Sequence, residues 1–384
     1  MLGLNEKQIG IDIADNTIEV AQIAGSKVLS LSRIKVSDGV VEHDRIKDEE
    51  KLILAINKLF NGAKPKKIKT KEIIFKLQES QSFVFTIQVD KGRKVEEVVE
   101  EEIENSIPLE KDDLIYNYRV VGKNKRGKEV LIVAASKEVL IMWQKFFEKL
   151  KIKIKYFDIE ALANYRALSF KSDKEPVCIV DIGSKITNIA LFNKNNLYYS
   201  YAMQKAGQFL SQQIANALKI DLVKAEEKKI KVDLKNKGKI GKIIIEGLQP
   251  MINEIRSGIT YLESKSKQKV KKVILIGGSA QLKGLVGYLS DNLKVEVKIG
   301  SPVLRDSNVK LIYLGAIGVA MGIDKQNKKL IFETKKIKKN DMPTKKQIEK
   351  PVVKSKKQDL ESIGGLEPLE EKSGSGNKGK IIIF

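Results

Sequence analysis

The chain has 384 residues, 42% of them hydrophobic and 31% charged, with a formal net charge of +22. That length allows two or three domains, or one large bilobed fold with sizeable cores. The single Cys (Cys178) and single His (His43) exclude an internal disulfide framework, zinc clusters, Cys proteases and Ser-His triads. Of 71 basic residues only eight are Arg. Bidentate phosphate reading favours Arg, so the Lys excess reads first as solvated faces and second as attraction to an acidic membrane surface; no nucleic acid is expected. No apolar run reaches the roughly 18 residues that cross a bilayer. The segment MLGLNEKQIGIDIA lacks a signal-peptide pattern. The expected location is therefore cytoplasmic, with any membrane link peripheral.

In chain order, QIGIDIA and TIEVAQI alternate as strands around a tight turn at Asp15-Asn16, and KVLSLSRIKV follows as a third strand. Residues 47–61 place Leu52, Ile53, Ile56, Leu59 and Phe60 on one helical stripe. EIIFKLQ and FVFTIQV read as strands. Residues 94–107 form an acidic amphipathic helix stopped by Pro108. YNYRVVG and EVLIVAAS are strands, and 137–150 is a helix carrying Leu140, Trp143, Phe146, Phe147 and Leu150 as a core stripe. Residues 83–150 thus read as a compact α+β module. A helix is expected at 157–170.

A second hairpin system begins at Val177: VCIVDIG, ITNIALFN, a polar turn at 194–196, and LYYSYAM. A Lys-rich helical region spans 207–264. VILIGG at 273–278 is a buried strand, followed by the helix LKGLVGYLSDNL, and YLGAIGVAMG at 313–322 is a closely packed helix. The same plan, hairpins followed by helices, appears at residue 8 and again at residue 177. After Asp324 the composition turns Lys-rich and then Glu-, Ser- and Gly-rich, the composition of a disordered tail, ending in GKIIIF.

Three segments suggest ligand chemistry together. They are Gly10-Ile11-Asp12-Ile13-Ala14-Asp15-Asn16-Thr17, Asp181-Ile182-Gly183-Ser184-Lys185-Ile186-Thr187-Asn188, and Ile276-Gly277-Gly278-Ser279-Ala280. The first two are acidic strand ends entering turns of small or polar residues. Such turns present backbone N–H groups to phosphate while the Asp orients a hydrated Mg²⁺. In the third, glycines allow backbone to approach a base or phosphate without a Cβ.

The ordered set resembles the phosphate 1, phosphate 2 and adenosine motifs of the actin/Hsp70/sugar-kinase superfamily. Within it the sequence resembles the PilM and FtsA branch. The 83–150 module sits where that branch carries its inserted subdomain, and YFDIEALANYRAL resembles the helix linking the lobes. NEIRSGITYLES and Ala225-Glu226-Glu227-Lys228-Lys229 look more like the type IV pilus assembly PilM family than FtsA. The resemblance covers residues 8–322. It implies a bilobed actin-like α/β fold, duplicated on a ribonuclease-H-like plan, with an inserted α+β subdomain and a disordered C-terminal tail. The expected divisions are 1–82, first lobe; 83–150, insert; 151–176, return and linking helix; 177–324, second lobe; and 325–384, tail.

By the same resemblance the cofactors are ATP and Mg. Asp12 would hold Mg²⁺ through water, and Ala14, Asp15, Asn16 and Thr17 would face the terminal phosphates. Asp181, Gly183, Ser184 and Thr187 would form the opposing loop. Glu226 and Lys229 would flank the nucleoside, and Gly277, Gly278 and Ser279 would line base and ribose. The chain departs from the family in having Ala14 where Gly is common, Glu19 where Lys is frequent, Ile186 where a hydroxyl residue is frequent, and Ala206-Gly207 for a Gly pair. These departures imply ATP binding with slow or absent hydrolysis.

The implied function is a cytoplasmic scaffold of the pilus inner-membrane assembly platform. It would bind the N-terminal segment of a PilN-like membrane protein beside the insert, where Glu96, Glu97, Glu100 and Glu101 could meet a basic peptide. Other platform proteins and peripheral membrane contact are further expected partners. An FtsA-like division tether is the alternative.

Overall fold

The computed structural model describes residues 7–25, 27–168, 175–236, 238–304, 309–322 and 327–337. β1 (Lys7–Ile13), β2 (Thr17–Ala24) and β3 (Lys27–Lys35) form an antiparallel meander that buries Ile11, Ile13, Ile18 and Val20. Such β-branched residues suit a pleated, packed surface. A short ribbon, β4 (Val41–Glu42) with β5 (Arg45–Ile46), leads into α1 (Glu49–Asn61). Asp48 caps α1 by accepting from the Lys51 N–H, and the helix buries Leu52, Ile56, Leu59 and Phe60. β6 (Glu72–Leu77) runs parallel to β1.

β7 (Ser82–Asp90), α2 (Val95–Ser106), β8 (Leu114–Lys123) and β9 (Gly127–Ser136) then form the inserted ribbon and its covering helix. α3 (Lys137–Lys149) returns the chain to β10 (Lys153–Ile159), parallel to β6, and α4 (Glu160–Ala167) follows without a loop. The second half builds β11 (Val177–Ile182), β12 (Thr187–Asn193) and β13 (Asn196–Met203). Next come α5 (Gly207–Leu218), α6 (Leu222–Lys231), α7 (Lys239–Ser266), β14 (Lys272–Ile276), α8 (Leu285–Leu293) and β15 (Glu296–Ile299). α9 (Leu314–Ala320) and β16 (Phe332–Glu333) complete the described chain.

The two large sheets contain the same sub-order. One holds β3-β2-β1-β6-β10 and the other β13-β12-β11-β14-β15. In each, the first three strands are antiparallel and the last two run parallel. The duplication suspected from two hairpin systems is thus a duplication of strand order, the bilobed ribonuclease-H-like plan expected above.

The additions to this plan lie at strand edges. β7 pairs with β13 through Phe85–Tyr199 and Val84–Ser200, so the inserted ribbon continues the second sheet. Val95, Val99 and Ile103 of α2 bury a small core against Val89, Val130 and Ile132. The last helix of the 83–150 stretch packs elsewhere. The Trp143 ring of α3 lies 4.8 Å from Phe75 of β6, and Phe147 packs edge-on 6.0 Å from the same ring, so α3 belongs to the core of the first sheet.

Three expectations are corrected. Residues 157–159 are strand, and the helix expected at 157–170 is confined to 160–167 among the described residues. Parallel pairing of Phe157 with Phe75 and of Ile159 with Leu77 outweighs the local helical pattern. The helix expected from Leu282 begins at Leu285, because Gly284 has φ +82° and breaks the run. Lastly, the segment expected to be disordered after Asp324 contains packed structure. Leu330, Ile331, Phe332 and Ile337 are buried, β16 pairs with β10, and Thr334 Oγ1 donates to the Ile154 carbonyl at 2.7 Å. The remaining tail, with GKIIIF, lies outside the described residues.

Candidate functional site

Asp12 and Asp181 are the penultimate residues of β1 and β11. The duplicated topology therefore carries one carboxylate at each central strand end. Lys76 of β6 contacts the first directly and acts on the second only through its field. Its Nζ lies 2.8 Å from Asp12 Oδ2 and 2.5 Å from Glu160 Oε1, the first residue of α4. The direct β10–α4 junction points Glu160 inward, where Oε2 also accepts the Glu79 N–H at 2.9 Å. Gln78 Nε2 donates to Asp12 Oδ1 at 3.0 Å and to the Ile13 carbonyl at 2.6 Å. Asn164 Nδ2 donates to Asp181 Oδ2 at 3.1 Å. Gly277, with φ +87°, closes over the second carboxylate; a Cβ there would sit 2.3 Å from Asp181 Oδ1.

Burial works against the charge on Lys76, but the Asp12, Glu160 and Asp181 carboxylates outweigh it and hold its proton far more firmly than usual. Burial, reinforced by Glu160, pushes Asp181 up to about 7 despite Lys76. Burial and the neighbouring Asp12 push Glu19 up to about 7 against the opposing pull of Arg33, which lies 2.6 Å away. Asp44, buried beside Ser80, is likewise raised to about 7, burial being the main cause. The site is rich in carboxylates, and added cationic charge would relieve them.

The Glu19 shift has a sign that can be tested. Its carboxyl binds a proton more tightly when folded than at the ordinary value of 4.5, so folding takes up protons between 4.5 and about 7. Stability from this group is present at low pH and lost as pH rises through that window. Glu19→Gln should therefore gain in melting temperature relative to the parent chain as pH is raised from 5 to 8. Parallel melting curves across that range would refute this explanation.

The other expected residues fall into two sets. In the first turn the Ala14 N–H bonds the Thr17 carbonyl at 2.9 Å, and Asn16 Nδ2 donates to Asp38 Oδ1 at 2.7 Å. In the second, the Gly183 N–H bonds the Ile186 carbonyl at 3.0 Å. The N-terminus of α5 is tied to this turn: Gly207 N–H donates to Gly183 O at 3.1 Å and Gln208 N–H to Ser184 O at 2.7 Å. Ser279 Oγ joins from the β14 loop, donating to Gly183 O at 3.1 Å, while a Cβ on Gly278 would meet open space. Thr187 is fully buried and donates inward to the Lys205 carbonyl at 2.8 Å, so its hydroxyl braces the turn from within. Lys229 Nζ reaches Gly207 O at 2.8 Å and Glu226 Oε2 at 2.7 Å, which also accepts from Ser211. Glu226 and Lys229 thus brace α5 and α6 behind the second turn. The two turns meet at Lys185, whose Nζ is 3.1 Å from Asp15 Oδ2.

The donor set bears on Mg²⁺. Among the described residues no group of three or more Asp, Glu, His or Cys side chains forms a metal cage. Mg²⁺ commonly keeps several waters and takes one or two carboxylates plus phosphate oxygens. Asp12 is a buried carboxylate at the end of β1, oriented by Lys76 and Gln78, and a single carboxylate of this kind fits a water-mediated role.

Sequence reasoning missed Lys76, Gln78, Glu160, Asn164 and Lys185 as site residues. A lysine inside the apolar run EIIFKL was the available signal for the first.

Two facing sheets of repeated order, each ending in an acid at a hairpin, define an actin-like fold. Solved structures agree. A PilM-PilN type IV pilus biogenesis complex aligns with a TM-score of 0.69 at 18% identity, covering 83% of this chain and 98% of that one. The ethanolamine utilization protein EutJ from Carboxydothermus hydrogenoformans gives 0.53 at 16% identity, covering 82% and 89%. MreB5 of Spiroplasma citri bound to ADP gives 0.51 at 12%, covering 82% and 95%. The family described as type IV pilus assembly protein PilM matches residues 10–310, and the chain belongs to that family. Among curated proteins, cell division protein FtsA of Pseudomonas aeruginosa is 25% identical over 201 residues, 44% of this chain and 48% of that protein. FtsA of Escherichia coli K12 is 23% identical over 210 residues, 46% and 50%. The chain spans about half the length of these curated relatives.

Proposed function

We propose that this protein is a nucleotide-binding scaffold of type IV pilus assembly, placed at the cytoplasmic face of the membrane by a PilN-like partner. The observation that carries the reading is the pair of strand-end acids, Asp12 and Asp181, gathered around one buried lysine beneath two opposed hairpin turns. In this reading the two turns would hold the phosphates of ATP or ADP, and Gly277, Gly278 and Ser279 would hold its base and ribose. Asp12 would hold Mg²⁺ through water, and the ion would supply neutralising charge at the phosphates. Lys76 and Gln78 fix that carboxylate; Asn164 fixes its counterpart. Turnover is slow or absent, because Glu19 adds an acid beside Asp12 and Ile186 brings no polar group to the second turn.

The partner assignment draws on family membership and on the likeness to a PilM-PilN complex. That family match spans residues 10–310, whereas the FtsA likeness covers less than half of the chain, which favours the pilus role over division tethering. No described helix is long and apolar enough to cross a membrane, and a partner with a membrane segment would provide the link. The acidic face of α2 is a less open peptide site than its composition suggested. Glu96, Glu97, Glu100 and Glu101 have Tyr118, Lys94, Lys111 and Arg93 as respective neighbours. These are exposed pairs of small energetic weight, which a basic peptide can replace.

Calorimetry with Mg-ADP and Mg-ATP should give saturable binding, weakened at least about tenfold in Asp12→Asn, the scale of one charge-assisted contact. A pulldown with the cytoplasmic N-terminal peptide of a PilN-like protein should retain the chain. Absence of heat with either nucleotide would refute the nucleotide assignment, and absence of capture would refute the partner assignment.

A further inference from the structure

Lys185 stands at the tip of the second hairpin turn and points across the cleft. Among the described residues its ion-pair partners belong to the opposite lobe: Asp15 Oδ2 at 3.1 Å and Asp38 Oδ1 at 4.0 Å. The turn that carries it is held firmly, since its Gly183 and Ser184 carbonyls accept from the first N–H groups of α5 and Gly183 also from Ser279. Those α5 N–H groups are thereby committed and do not face the cleft.

The neighbouring cations are committed as well. Lys76 is enclosed between Asp12 and Glu160, Arg33 is paired with Glu19, and Lys229 is held by Gly207 O and Glu226 behind the turn. Lys185 differs from Lys76 and Lys229 in being part-exposed, and from all three in bridging two hairpins rather than bracing one. Its stem is flexible and its ammonium is a point charge that can change partners. A polyphosphate entering between the turns meets Asp15 on one side, with the carboxylates of Asp12 and Glu19 buried behind it. Lys185 is the cation placed to offset them.

We infer that Lys185 is a two-position latch: without ligand it ties the turns together through Asp15, and with a nucleoside polyphosphate bound its ammonium transfers to the phosphate. The inference rests on the nucleotide reading above. It places the phosphate-neutralising cation on the second turn, opposite Asp15 of the first. It also makes lobe closure and phosphate occupancy compete for one charge, so the ligand shifts closure by its differential affinity for the two arrangements.

The test is a double-mutant cycle on the full chain: parent, Lys185→Gln, Asp15→Asn and the double variant. Each is titrated calorimetrically with Mg-ADP and with Mg-tripolyphosphate, and melted without ligand. The expected results are binding of both probes weakened about tenfold in Lys185→Gln, on the scale of one charge-assisted hydrogen bond, and tightened in Asp15→Asn. The tightening should be smaller when Lys185 is already Gln, because no latch remains to open. Parent-like affinity of Lys185→Gln for both probes would overturn the latch while leaving nucleotide binding intact. A melting shift in Lys185→Gln with unchanged affinity would reduce the residue to a structural tie and also overturn it. If the parent chain binds neither probe, the nucleotide reading falls and the latch falls with it.

Discussion

Ending the chain ahead of Asn327 is expected to lower its stability sharply, whereas ending it after Ile337 should leave the melting temperature unchanged. The first cut removes Leu330, Ile331, Phe332 and Ile337, all buried, and strips β16 from the edge of β10. Burial of one such side chain contributes about 1.5–3 kcal/mol, so several together rival the stability of a typical domain. Hydrogen bonds go with them: Thr334 Oγ1 to Ile154 O, and Asn117 Nδ2 of β8 to Ile331 O at 2.7 Å. The second contact ties the inserted ribbon to the strap, so the cut should also loosen β8. The single substitution Phe332→Ala should by itself cost about 3–5 kcal/mol, as for other large core aromatics. Chemical denaturation of the two truncations and this variant gives the comparison. Equal midpoints for both truncations would show that residues 327–337 contribute nothing to the folded body.

That strap illustrates why the sequence was legible in some places and opaque in others. Asp12, Asp181 and Gly277-Gly278 stand out because each follows an alternating or apolar strand at its end, a local pattern that one window of sequence displays. The repeated hairpins announced two lobes for the same reason. Glu160 and Lys76 are 84 residues apart, and their ion pair exists because β10 lies beside β6 in the sheet. No local pattern encodes that pairing. Phe332 was hidden differently: Leu330-Ile331-Phe332 is a short apolar run within a Lys-rich stretch, and composition averaged over a long window erased it. The helix expected over 157–159 failed because sheet pairing overrode local periodicity.

The second large effect is expected at Lys76. Lys76→Met keeps much of the side chain's length and removes its charge, leaving Asp12, Glu160 and Asp181 to face one another in a site where Lys76 is nearly inaccessible to solvent. Removing one partner of a buried ion pair typically costs about 3–5 kcal/mol, because the remaining charges keep their desolvation penalty without compensation. The loss should depend on pH in a defined sense. Asp181 is raised to about 7 even with the lysine present, chiefly by burial, and removing the lysine's opposing pull raises it further. A carboxyl whose folded pKa exceeds its unfolded one stabilises the fold at low pH and stops doing so as pH rises through the folded value. Lys76→Met should therefore lie closest to the parent near pH 5 and fall progressively behind it towards pH 8. Adding Glu160→Gln should recover part of the loss at pH 8, since it removes one of the stranded charges while keeping an acceptor for the Glu79 N–H. Melting curves of the parent, single and double variants at pH 5 and pH 8 measure all three effects. A deficit in Lys76→Met that is the same at both pH values, and untouched by Glu160→Gln, would mean that lost packing rather than uncompensated charge governs this position.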